Sequence, residues 1–299
     1  MVVGSIRESL KKAAHKLSES RGSNTPVLDA ELLLLHVLKQ SGMDFDRVKL
    51  LTQSGYVIDE KTADMYMNLI DERCKGKPVQ YIIGRQEFMG FELYIGEGVL
   101  IPRADTETVV EKVIEKAAGM KKPNIIDMCT GSGAIAVSLA MNIPDARVWA
   151  ADISDSALDC CRINAARYGL EGRIRVIKSD LFENIREEGL IGNTDVIVSN
   201  PPYIESEAIK NLDANVRCYE PHLALDGGKD GLVYYRRIVN DSAEFLKTNG
   251  ILAFEVGYDQ GGKMKNIMEE SGHYYVVNIE KDLSGFDRCV WGRKTIFGE

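Results

Sequence analysis

A chain of 299 residues with 44% hydrophobic content is long enough to bury one large core or two ordinary ones. Its net charge of -8 and pI near 5.3 argue against a broad grip on a phosphate backbone, which depends on many Lys and Arg contacts. Six cysteines without a CxxC pair match neither a disulfide framework nor a zinc site; with no bilayer-length apolar run and no signal or transit pattern, a cytoplasmic protein is expected.

Residues 1–78 read as a small all-helical domain. Ser5 and Glu8 fit a capping box for a helix whose stripe is Ile6, Leu10, Ala13, Ala14 and Leu17. Thr25-Pro26 suits an N-cap followed by proline at the first helical position, opening a helix through Leu32, Leu35 and Leu38 that stops at Gly42. A third pattern follows Asp59 through Met65, Leu69, Ile70 and Arg73 and ends at Gly76, before Pro78. Residues 79–104 interleave Tyr81, Ile82, Ile83, Phe88, Phe91, Leu93, Tyr94, Ile95, Val99 and Leu100 with glycines, which predicts a β-hairpin connector.

Residues 105–299 alternate short β-branched runs with helical patterns, the signature of an α/β, doubly wound, Rossmann-like sheet. Strands are expected at 124–128, 147–151, 173–178, 195–199 and 251–256, with helices at 133–142, 154–168, 230–247 and 259–271. Two further strands, 273–279 and 288–293, lack a helix between them and predict an antiparallel pair at one edge. Cys160-Cys161 falls in a helical pattern and reads as core packing.

Two motifs carry chemistry. The first runs from Asn124 to Ala136: a strand, a turn with Gly131 and Gly133, and a helix start whose free N–H groups face a ligand. Asp152 closes the second strand, where a carboxylate accepts from both ribose hydroxyls of an adenosine. Asp180 closes the third, placed for an adenine amino group, with Leu181 against the ring. Gly131-x-Gly133-x-x-Ala136 with Asp152 also satisfies a relaxed dinucleotide fingerprint. Asp127 turns the reading toward S-adenosylmethionine, because its charge suits a sulfonium and an α-amino group and opposes a pyrophosphate.

The second motif, Asn200-Pro201-Pro202-Tyr203, ends the fourth strand and is the most specific signal in the chain. Pro201 holds Asn200 extended, and the two prolines make a stiff turn that offers carbonyls without competing donors. An amide or exocyclic amino nitrogen is a poor nucleophile, so it has to be oriented. The Asn200 side-chain oxygen and the Pro201 carbonyl can each accept one N–H, while Tyr203 packs on the planar group. No metal or covalent nucleophile is required, because the sulfonium leaves as a neutral thioether. An ordinary Asn-Pro-Pro turn is the plain rival. His222 is read as a packing or surface residue.

With these residues in place, the chain resembles the release factor glutamine methyltransferase family, the protein-(glutamine-N5) methyltransferases of the HemK/PrmC type. The resemblance covers nearly the whole chain and includes Pro78 to Gly84, Phe88-Met89-Gly90, Leu100 to Glu107, the Asp127 turn, Asn200 to Ile204, Tyr219-Glu220-Pro221 and Leu225 to Gly228. It implies a class I methyltransferase using S-adenosylmethionine and releasing S-adenosylhomocysteine. The implied substrate is the glutamine of the Gly-Gly-Gln motif of peptide chain release factors, methylated at N5, with residues 1–78 helping to recognise that protein.

Carried over by position, Cys129, Thr130, Gly131, Ser132, Gly133, Asp152 and Leu181 fall at the cofactor, to which Asp127, Asp180 and Asn200 are added from their own placement. Asn200, Pro201, Pro202 and Tyr203 fall at the glutamine, Asn200, Pro201 and Tyr203 being catalytic. Arg103 and Glu107 fall in a further motif, read as a docking element or as a structural ion pair. Cys129 stands where the family has glycine, a departure tolerated if its φ is negative. Leu181 is aromatic in some relatives.

No metal, no direct nucleic-acid contact, no membrane association and a monomer are expected. The main alternative is N6-adenine methylation of DNA or RNA, whose flipped base presents the same NH2 geometry. A cofactor-binding module without turnover, or a translation-associated adaptor, is the alternative of another class.

Overall fold

A computed structural model describes residues 4–20 and 22–295. Residues 1–3, 21 and 296–299, which fall in the first and last expected domains, lie outside the described residues. The chain divides into two compact units: the stretch up to Arg85 together with Asp213–Tyr219, and Gln86–Leu212 together with the stretch from Glu220 onward.

The first unit is helical: α1 (Ile6–Ser20), α2 (Pro26–Gln40), α3 (Arg47–Thr52), α4 (Glu60–Cys74) and α5 (Val79–Ile83). The capping box closes as expected. Ser5 N donates to Glu8 Oε2 at 2.8 Å, and Glu8 N donates to Ser5 Oγ at 3.3 Å. Ile6, Ala13 and Leu17 bury against Leu33, Leu34, Val37 and Leu38 of α2 and Tyr66 and Ile70 of α4. Thr25 precedes Pro26 as expected but makes no cap bond; its hydroxyl donates instead to Asp29 Oδ1 at 2.9 Å. Asp29 also accepts from Arg73 Nε at 2.7 Å, which explains an arginine in the apolar stripe of α4: two buried charges satisfy each other.

A hairpin follows, β1 (Arg85–Phe88) and β2 (Phe91–Tyr94), which belongs to the second unit from Gln86 onward and is turned by Met89 at φ 51° and Gly90 at φ 76°. A two-residue turn with both φ values positive matches the twist of its strands. The hairpin therefore occupies only the middle of residues 79–104. Val79–Ile83 is a short helix stopped by Gly84 at φ 70°, where β-branched and aromatic residues suggested extended chain.

Next come α6 (Asp105–Ala117), β3 (Asn124–Met128), α7 (Ala134–Asn142), β4 (Arg147–Asp152), α8 (Asp155–Arg167), β5 (Ile174–Lys178) and β6 (Thr194–Ser199). After β6 the chain forms α9 (Ala214–Tyr219), which belongs with the first unit, where the Tyr219 hydroxyl donates to the Lys75 carbonyl at 3.0 Å. It then completes the second unit with α10 (Val233–Phe245), β7 (Leu246–Glu255), α11 (Gly261–Glu270), β8 (Tyr274–Lys281) and β9 (Asp287–Lys294).

Seven strands form one mixed sheet in the order β5-β4-β3-β6-β7-β9-β8. The first five run parallel, and β9 and β8 are antiparallel at the edge, as the missing helix between them predicts. Ile125, Ile126 and Met128 of β3 and Val196, Ile197 and Val198 of β6 are buried, as expected of central strands covered on both faces. β7 starts at Leu246, five residues earlier than expected, because a bulge with Asn249 at φ 63° separates the Thr194–Leu246 pairing from Val196–Ile251. Among the described residues no helix is long and apolar enough to cross a membrane.

Candidate active site

The sheet order reverses between β3 and β6, since β4 flanks β3 on one side and β6 on the other. At such a switch point the connections leave the carboxyl edge in opposite directions and open a crevice. A cleft of about 1130 Å³, counting its open mouth, is lined there by residues that follow β3, β4, β5 and β6. Every lining residue belongs to the second unit.

The turn after β3 is held from beneath. Asp127 is fully buried, and its Oδ2 accepts from Thr130 Oγ1 at 2.5 Å and from Ala136 N at 3.0 Å. Its Oδ1 is buried without a hydrogen-bond partner, and burial pushes the carboxyl up to about 7. Gly133 caps α7 at φ 79°, and a Cβ there would stand 2.7 Å from Cys161 Sγ. Cys161 is thus a packing residue beneath the turn. Cys129, whose tolerance at a glycine position is tied to a negative φ, sits at 61°. That is the left-handed region a glycine enters freely, so the cysteine holds the turn at a steric cost. Burial pushes its thiol up.

Asp152 stands at the end of β4 with its carboxylate on two backbone amides: Oδ2 accepts from Gly131 N at 2.9 Å and Oδ1 from Ser154 N at 3.0 Å. Each oxygen keeps lone-pair capacity. Burial raises its pKa against the pull of these N–H donors. Asp180 pairs with Arg237 of α10 at 2.9 Å, and both line the cleft beside Leu181 and Tyr234.

On the other wall, Asn200 Nδ2 donates to Glu255 Oε2 at 2.8 Å and to Thr106 Oγ1 at 3.3 Å. The Tyr203 hydroxyl donates to Glu255 Oε1 at 3.2 Å, and the Tyr203 carbonyl accepts from Gln260 Nε2 at 2.9 Å. Glu255 is 1% exposed, and burial raises its carboxyl to about 7 despite these donors.

Behind the loop, Ile204 N donates to the Leu225 carbonyl at 3.0 Å and Gly227 N donates to the Ile204 carbonyl at 2.8 Å. This close approach explains Gly227, on which a Cβ would lie 2.8 Å from the Pro202 carbonyl and from Tyr203 Cα, whereas Gly228 is required by its φ of 87° and by Val233, 2.5 Å from a Cβ there. Gly227→Ala should therefore displace the Asn200–Tyr203 loop. The expected result is a drop in kcat of about tenfold to a hundredfold, the equivalent of about 1–3 kcal/mol of overpacking, with cofactor affinity kept. Steady-state kinetics beside calorimetric titration of the cofactor checks it.

Of the residues singled out from the sequence, Cys129, Thr130, Gly131, Ser132, Asp152, Asp180, Leu181, Asn200, Pro202 and Arg103 line the cleft, while Asp127, Gly133, Pro201, Tyr203 and Glu107 do not. Arg103 and Glu107 are not each other's partners. Arg103 pairs with Glu220, whose other oxygen is buried without a partner, and Glu107 accepts from Met89 N at 2.7 Å, holding the hairpin turn. His222 is exposed beside Asp226.

Sequence reasoning missed Thr106, Glu255, Gln260, Arg237 and Asn164. Asn164 is fully buried and pins β2 and the turn, donating to the Tyr94 and Ser132 carbonyls at 2.9 Å each. Glu255 carried a usable signal, because a carboxylate closing the run Ile251-Leu252-Ala253-Phe254 needs partners of its own.

Two family models match the chain: PrmC N-terminal domain over residues 8–84 and Methyltransferase small domain over residues 104–217. The release factor glutamine methyltransferase of Clostridium acetobutylicum is 39% identical over 285 residues, covering 95% of this chain and 97% of that protein. That of Clostridium botulinum is 41% identical over 268 residues, covering 89% and 92%. The chain belongs to the release factor glutamine methyltransferase family. Among solved structures, the hMettl16 catalytic domain in complex with MAT2A 3'UTR hairpin 6 superposes with TM-score 0.55 at 15% identity, covering 82% of this chain and 86% of that one, a likeness of fold alone.

The methyl donor of this family is S-adenosylmethionine, and the residues present fit it. Asp152 offers a carboxylate pinned by backbone amides, the turn at Gly131 is open, and the Asp127 Oδ1, buried without a hydrogen-bond partner, lies beneath the turn. A pyrophosphate at this turn would meet the Asp152 carboxylate, with Asp127 buried beneath it, so the chemistry of the site opposes a dinucleotide.

Proposed function

We propose that this protein methylates N5 of the glutamine in the Gly-Gly-Gln motif of peptide chain release factors, with S-adenosylmethionine as donor. The observation that carries the reading is the engagement of Asn200 Nδ2 by Glu255 and Thr106, which turns Oδ1 toward the cleft that Asn200 lines. An oxygen there accepts an N–H of a side-chain amide.

In this reading the Pro201 carbonyl takes the second N–H, and Tyr203 packs against the amide plane. The nitrogen is thereby held with its π face toward the donor, and positioning supplies most of the rate. The bound cofactor supplies an electrophilic methyl group on a sulfonium. Asp152 holds its ribose, Asp180 and Leu181 its adenine, and residues 129–133 its amino-acid end, with Asp127 beneath. Arg103, at the cleft rim, meets the substrate protein, while Glu107 serves by holding the hairpin turn. Residues 1–78 act as the recognition domain, 79–104 as connector and 105–299 as catalytic domain. The protein works as a monomer in the cytoplasm, the compartment of its proposed substrate, without contacting nucleic acid directly.

The test is transfer of labelled methyl groups to a purified release factor, beside duplex and single-stranded DNA, with the modified residue located by peptide mass spectrometry. Label on the Gly-Gly-Gln glutamine is expected. Label on adenine would sink the substrate assignment, and cofactor binding without transfer to any of them would sink the enzymatic reading.

A further inference from the structure

Four groups meet where the catalytic loop touches the end of β7: the Asn200 side-chain amide, the Thr106 hydroxyl, the Tyr203 hydroxyl and the Glu255 carboxylate. Hydroxyls both donate and accept, so Thr106 would tolerate either orientation of the Asn200 amide, while the Tyr203 hydroxyl bonds Glu255 instead. An ionised carboxylate only accepts. Glu255 is therefore the one member of the cluster that forces Nδ2 inward and Oδ1 outward. Its backbone carbonyl is itself fixed by the buried Tyr235 hydroxyl at 2.7 Å, and the loop is tied to the same segment through Gln260.

We propose that Glu255 is a positioning residue that decides which end of the Asn200 amide the substrate meets, and so makes the site accept a side-chain amide and refuse a carboxylate. The inference rests on the glutamine-directed reading and deepens it. With Oδ1 outward, a glutamine NH2 finds an acceptor. A glutamate in its place brings two more acceptors against an acceptor and leaves them unpaired, the arrangement by which buried polar sites discriminate most strongly.

Glu255→Gln keeps size and shape but removes the one-way character. The substituted side chain can donate from its amide nitrogen to Asn200 Oδ1, which frees Nδ2 to turn outward. The experiment compares the unsubstituted protein with Glu255→Gln at pH about 8, where Glu255 is ionised despite its pKa near 7. Each is titrated, in the presence of S-adenosylhomocysteine, with a release factor and with the same factor carrying glutamate for the motif's glutamine.

The preference for glutamine over glutamate is expected to shrink at least about tenfold in Glu255→Gln, and kcat for the glutamine factor to fall by about tenfold to a hundredfold. Cofactor affinity should stay within about twofold. An unchanged preference overturns the inference, and so does a parallel weakening of both factors, which a merely structural role would give.

A second measurement needs no variant: the Asn200 side-chain NH2 protons should exchange slowly with water in the free protein, and exchange as fast as at an exposed asparagine overturns the inference. Absence of methyl transfer by the unsubstituted protein overturns the functional reading and this inference with it, whereas transfer with an unchanged preference in Glu255→Gln overturns the inference alone.

Discussion

Asn200→Ala is expected to slow methyl transfer about 10³-fold while the dissociation constant for S-adenosylmethionine moves by less than about threefold. The size follows from the chemistry. An amide nitrogen attacks only when its delocalised lone pair is aimed, and the substitution removes the oxygen that aims it in the proposed reading. The cofactor wall is spared, because the turn at Asp127 and the Asp152 carboxylate draw their hydrogen bonds from Thr130, Ala136, Gly131 and Ser154. The substitution also takes a donor from buried Glu255, so a thermal melt should accompany the kinetics. Loss of cofactor affinity in step with loss of rate would remove Asn200 from the role assigned to it.

Asp152→Ala should show the converse. Its carboxylate is the acidic group at the end of β4, steadied by Gly131 N and Ser154 N with lone pairs left for two ribose hydroxyls. Two charge-assisted bonds, less the desolvation of a group whose pKa burial already raises, come to about 3 kcal/mol, or about a hundredfold in affinity. Calorimetry should register that weakening, and kcat at saturating cofactor should stay within about fivefold. A collapse of kcat at unchanged affinity would show that Asp152 serves the chemistry and not the ribose.

Local signals carry much of the fold. Ser5 and Glu8 announce a capping box because both partners lie within one turn. The five parallel strands are legible because central strands are nearly continuous β-branched runs, and the antiparallel edge pair because no helix intervenes. Helix α6 escapes the sequence reading although Val109, Val110, Val113 and Ala117 have helical spacing, because the preceding Ile101-Pro102-Arg103 motif points toward loop. In α5 the five residues Val79–Ile83 are too few to show any period.

The site is legible as two motifs and illegible as a network. Asn200 and Asp152 stand at strand ends that the sequence marks, but what orients Asn200 comes from far away in the chain. Thr106 lies 94 positions from Asn200 and Glu255 lies 55, and only the sheet order brings β7 beside β6. Cys129 shows the opposite limit: its position is clear, but its left-handed backbone is not, because the residue gives no hint of a conformation that glycine normally supplies.

The membership of α9 in the helical unit has a consequence for synthesis. A ribosome completes the stretch up to Arg85 early, yet that stretch still lacks a piece of its own unit, Asp213–Tyr219, which emerges only after β3, β4, β5 and β6. Until then the Lys75 carbonyl, at the end of α4, lacks the Tyr219 hydroxyl that later covers it. A fragment ending at Arg85 would reproduce this nascent state, and adding a peptide spanning residues 213–219 should raise its melting temperature.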